Sequence, residues 1–134
     1  MRKLAAFAGI ASMVGLGAFA CTGSRTPPPS TKVVMAHCPA GAVAAFVTPE
    51  SVMIARGDSV RWKTTGQAVD SLIITLKNAS QTWPFTGSIP RGGDSTQTGG
   101  ADTTGTYAYN VTLHCRIANQ PDTVVVIDPD IIIQ

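Results

Sequence analysis

Residues 106–115 read TYAYNVTLHC and alternate without a break. Tyr107, Tyr109, Val111, Leu113 and Cys115 share one parity, and Thr106, Ala108, Asn110, Thr112 and His114 share the other. Successive side chains of a strand point to opposite faces, so this period predicts a strand with the first set in a core and the second toward water. A helix would scatter both sets around its circumference. A segment of this kind needs another layer to cover its apolar face.

The rest of the chain supplies that layer. Short runs rich in Val, Ile and Thr stand at residues 33–35, 44–47, 52–55, 59–63, 71–76, 123–127 and 131–133, separated by turn residues such as Arg56-Gly57-Asp58 and Lys77-Asn78. Such spacing predicts an all-β sandwich. Residues 88–105, SIPRGGDSTQTGGADTTG, lack apolar periodicity and read as a long flexible surface loop. They also lack the glycine spacing and strand-loop-helix setting of a phosphate cradle.

The chain holds two histidines and three cysteines, and a His-Cys pair occurs twice, at 37–38 and 114–115. Strand parity puts Cys38 with Val34 and Ala36, and Cys115 with the apolar set, so both thiols face inward and each His faces away from its own Cys. A tetrahedral zinc needs its donors to converge on one point, and the C-x-x-C knuckles typical of structural zinc are absent. Two inward thiols in an exported domain are expected to oxidise together as a Cys38–Cys115 disulfide. The weaker alternative is a metal site using His37 and His114, which would be neighbours on the solvent face if their strands paired in register.

Export is itself an expectation. Arg2 and Lys3 precede an apolar run from Leu4 to Ala20, followed by Cys21 and the polar, Pro-rich TGSRTPPPSTK. That order is a signal peptide at residues 1–20. Ala18-Phe19-Ala20-Cys21 is similar to a bacterial lipobox, in which Cys21 is lipidated and the following segment tethers the domain to a membrane. Removing Arg2 and Lys3 from the ten basic residues leaves eight, equal to the eight acidic ones. A neutral chain with scattered cations carries no footprint for nucleic acid.

Phe46–Trp62, FVTPESVMIARGDSVRW, resembles the opening of cupredoxin domains, which carry an F-x-P-like element followed by a G-D-x-V-x-W turn and strand. GTYAYNV at 105–111 resembles the G-x-Y-x-Y strand late in the same fold, and IDPDIII at 127–133 fits its closing strand. The likeness runs in order over residues 32–134 and implies a cupredoxin-like Greek-key β-sandwich. The family's usual cofactor is a type-1 copper, held by two His and one Cys with a weak axial ligand. Here that set is missing. No His occurs in 69–76, where the first ligand would stand, and the ligand-Cys position is Val111. Cys115 comes four residues late, and no Met follows Met53. The resemblance therefore implies a copper-free, exported and often lipid-anchored relative, with no cofactor expected; copper at a non-standard site is the alternative.

Other motifs carry less. Arg56-Gly57-Asp58-Ser59 spells an adhesion tripeptide, but a turn explains it. Asn78-Ala79-Ser80 and Asn110-Val111-Thr112 are glycosylation sequons, relevant only to a eukaryotic secretory route. Asp128 and Asp130 flank Pro129 and are read as shaping a turn. Trp83-Pro84-Phe85 is read as a plug at the end of the sandwich. No Ser-His-Asp set, carboxylate pair or activated thiol can be argued, so the chain is expected not to be an enzyme. It reads as a binding or structural module on a cell envelope, its membrane partner met through lipid, with self-association through edge strands suggested by the Ile131–Ile133 run.

Overall fold

The computed structural model describes residues 26–65, 69–116 and 121–134. The expected signal peptide and Cys21 lie outside them. Among the described residues there are ten strands and no helix: β1 (Thr31–His37), β2 (Phe46–Thr48), β3 (Ser51–Ile54), β4 (Ser59–Thr65), β5 (Val69–Leu76), β6 (Arg91–Gly92), β7 (Ser95–Gln97), β8 (Gly105–Cys115), β9 (Thr123–Ile127) and β10 (Asp130–Ile133). They form two sheets, one ordered β2-β1-β4-β7, the other β3-β10-β8-β5-β6 with β9 also on β8. The all-β class and sandwich-like layering expected from the strand pattern are therefore present.

Parity governs the packing. On β8, Tyr109, Val111, Leu113 and Cys115 are fully buried while the alternate residues reach the surface. On the facing sheet, Val34, Ala36, Val60 and Trp62 are fully buried. Trp62 and Tyr109 join the layers: their rings meet edge to face at 5.5 Å, and Trp62 Nε1 donates to Tyr109 Oη over 3.1 Å. An aromatic of this size buries about 150–250 Å², about 4–6 kcal/mol each by area.

The chain changes sheets at both sides of the sandwich. Between β2 and β3 it passes from one sheet to the other across a cis Thr48-Pro49 bond. Between β6 and β7 it passes back, because β6 pairs with β5 and β7 with β4. This corrects the reading of 88–105 as a free excursion. Thr98 donates its N–H to Val60 O (2.9 Å), while its Oγ1 accepts from Val60 N (3.0 Å). Ala101 exchanges backbone bonds with Gly57 and Asp58, both 2.8 Å. The segment looked unstructured because these anchors are short and satisfied through backbone groups, which need no apolar period.

Two further expectations change. Asp128-Pro129-Asp130 is not a turn: Val111 opposite Ile127 and Ala108 opposite Asp130 share one register, and Tyr109 N donates to Pro129 O across the interruption (3.1 Å). β9 and β10 are one strand line broken where Pro129 lacks an N–H. The Ile131–Ile133 run is not an edge either, since β10 lies between β3 and β8 with Ile131 and Ile133 buried. The second strand begins later than expected, at Phe46. Residues 40–43 close a tight turn instead, with Ala40 and Val43 exchanging two 3.0 Å backbone bonds around Gly41 at φ 58°.

Candidate functional site

Cys38 follows the end of β1 and Cys115 ends β8, so their strands belong to different sheets. The two are joined as a disulfide with Cα atoms 5.8 Å apart. Both sulfurs sit in the core, Cys38 at 7 % exposure and Cys115 at zero. The bond staples the layers at one end, the end where the 38–45 connection also lies.

The same arrangement separates the histidines. β1 and β8 do not pair, so His37 and His114 stand on the outer sides of two different sheets. The expectation that register might make them neighbours is overturned, because the disulfide holds the backs of their strands together. Each imidazole has its own surroundings. His37 stacks on Phe46 with centroids 4.3 Å apart and planes 10° from parallel, and its Nδ1 lies 2.7 Å from Thr65 Oγ1. His114 stands opposite Ser71 on β5 and Val124 on β9. Among the described residues no group of three or more His, Cys, Asp or Glu side chains is placed to hold a metal. The ligand-Cys position, Val111, is fully buried among apolar neighbours. The residues present do not fit a type-1 copper.

The Arg56-Gly57-Asp58 turn is occupied structurally. Gly57 takes φ 90°, a conformation that L side chains rarely adopt. Asp58 is buried, and its carboxylate accepts from Ser30 N (2.6 Å) and Ala55 N (3.1 Å). These backbone bonds, Ser30 first and Ala55 second, lower its pKa below the usual value despite burial. An adhesive tripeptide needs a free carboxylate; this one holds the start of β1 against the β3–β4 turn.

The remaining motifs fall as follows. Asn78 is exposed, and its Oδ1 accepts from Ser80 N (3.0 Å) and Ser80 Oγ (2.7 Å). Asn110 lies within paired β8, its Oδ1 buried. Asp128 forms an exposed ion pair with Lys77 at 2.9 Å. Pro84 and Phe85 are buried and Trp83 packs against the core, so this cluster is interior packing. An open depression of about 690 Å³ is lined by Ser88, Ile89, Pro90, Arg91, Thr96 and Gln97, at the β6–β7 crossing. The Trp62–Tyr109 bond and the His37–Phe46 stack escaped the sequence reading. Parity places each residue on a face, but cross-strand and cross-sheet partners depend on register.

Compared with models of known protein families the sequence matches none, and a search of curated proteins finds no similar one.

Proposed function

We propose that the chain is an exported, lipid-anchored, non-catalytic module of a bacterial cell envelope, built on a cupredoxin-like Greek-key sandwich without type-1 copper. The observation that carries this reading is the fate of the thiols. Cys115, the only cysteine near the expected ligand position, is consumed in a bond to Cys38, and Val111 fills that position in the core. A disulfide closing across the core supports an oxidising compartment. The strand order supports the resemblance at two places. The Phe46–Pro49 element joins the two sheets, and the Gly57-Asp58 turn leads into β4 with Trp62 buried. The lipid would be carried by Cys21, with the Pro-rich residues after it holding the domain off the membrane.

Labelling cells with a radioactive fatty acid tests the anchor: label on the wild-type chain and none on Cys21→Ala is expected, and an unlabelled wild-type chain contradicts it. Metal analysis of protein purified from the envelope, with a thiol count, tests the rest. Stoichiometric copper together with two reactive thiols would overturn the copper-free reading.

A further inference from the structure

β9 is the one strand of the larger sheet whose backbone pattern leaves a whole edge available among the described residues. It pairs with β8 on one side and has no partner strand on the other. The direction of its free groups can be worked out. Tyr109 N bonds Pro129 O, so the 109/129 pair is a hydrogen-bonded one. In an antiparallel ladder such pairs alternate. Residues 123, 125 and 127 therefore point their backbone groups at β8, and Val124 and Val126 point theirs outward. The same parity appears further along the strand line: Asp130 N and Gln134 N donate to Glu50 O and Ile54 O, both 3.0 Å, on that outer edge. There β3 fills the edge. Beside β9 it does not, because the preceding residues, β2, have crossed to the other sheet.

The edge also lacks the usual protection. Thr123–Ile127 reads TVVVI, with no charge, proline or bulge, and Val124 and Val126 are 57 % and 55 % exposed. Natural proteins normally blunt such a strand. Its ends are marked instead by Asp122, 3.8 Å from Arg116, and Asp128, 2.9 Å from Lys77.

We infer that β9 is a homotypic docking edge, and that its occupant is β9 of a second copy, paired antiparallel about a two-fold axis at Val125. This goes beyond the envelope-module reading and does not depend on it. The register follows from the outward parity. With Val125 on the axis, Val124 meets Val126 of the second copy in a hydrogen-bonded pair, and all five residues find partners. The exposed valines cover each other on the outer face. Asp122 falls opposite Asp128 of the second copy, and each carboxylate arrives beside its own cation, so the ends meet as neutral pairs rather than bare like charges. The larger sheet would run continuously through both copies, and the interface would be isologous.

The test uses the full chain carrying Cys21→Ala, in mild detergent, by sedimentation equilibrium from about 1 µM to about 1 mM. Val124→Pro removes an outward N–H and no bond to β8, and Val126→Lys puts a charge at the seam. Val33→Lys, on the other sheet, controls for lost surface apolarity; far-ultraviolet circular dichroism confirms that each variant folds. A concentration-dependent dimer is expected, with its midpoint raised about tenfold or more by Val124→Pro and by Val126→Lys and unmoved by Val33→Lys. Amide exchange of Val124 and Val126 should slow as concentration rises. A monomer throughout the range, or a dimer that both edge variants leave intact, overturns the inference.

Discussion

Replacing Tyr109 with Phe should lower stability at neutral pH and raise it at pH 12. The Tyr109 hydroxyl is buried and accepts from Trp62 Nε1. In Tyr109→Phe the indole N–H loses its partner in a closed core, which costs about 1–2 kcal/mol. At high pH the balance turns. Desolvation raises the Tyr109 pKa to about 12, helped by the nearby Asp130 charge and opposed by the Trp62 bond, whereas an unfolded tyrosine titrates near 10. A folded pKa above the unfolded one contributes stability that is complete below about pH 10 and is lost as pH rises toward 12. The loss attributable to this residue is about 1.4 kcal/mol by pH 11 and about 2.3 kcal/mol by pH 12. Phe does not titrate, so the two stability curves should cross near pH 11. Urea unfolding of both proteins from pH 8 to 12, followed by Trp fluorescence, measures the difference and cancels the other titrating groups they share. Parallel curves with no crossing would refute the placement of Tyr109 in a dry core.

Three more outcomes follow from other parts of the fold. Cys38 and Cys115 are separated by 77 residues, so replacing both with Ala should cost about 4.5 kcal/mol by the chain-entropy relation. The urea m-value should rise as the unfolded chain expands; an unchanged midpoint would contradict the cross-sheet staple. Asp58→Ala strips two backbone N–H groups of a charged acceptor and should cost about 2–4 kcal/mol at pH 7. Because its folded pKa is lowered, the wild-type advantage should be full above about pH 4 and disappear as pH falls below that, which acid titration of both proteins by circular dichroism would show. Gly99→Ala should destabilise by about 1–3 kcal/mol, since a Cβ there would collide with the Thr86 backbone carbonyl; a neutral result in thermal unfolding would mean that 88–105 is looser than its hydrogen bonds indicate.

The β8 faces were legible because period-two alternation is a local property that burial enforces: Val111 and Cys115 could go only one way once Tyr109 did. The disulfide was legible for the same reason, given two inward thiols. The positions of His37 and His114 were half legible. Parity put both outward, but which sheet each strand joins is decided by distant pairing, here β1 with β4 and β8 with β5. Residues 88–105 were misread because Thr98 and Ala101 are anchored through backbone and hydroxyl groups, which leave no hydrophobic pattern. The 128–130 segment was misread for the opposite reason. Proline between two aspartates resembles a turn, yet one missing N–H can interrupt a ladder without bending it.

Non-reducing peptide mapping by mass spectrometry, after alkylation of free thiols in the unfolded chain, tests the central claim most directly. The account predicts a cross-linked pair of peptides carrying residues 38 and 115, with neither sulfur alkylated. Alkylation at both positions, or a cation retained between them in native mass spectra, would contradict it.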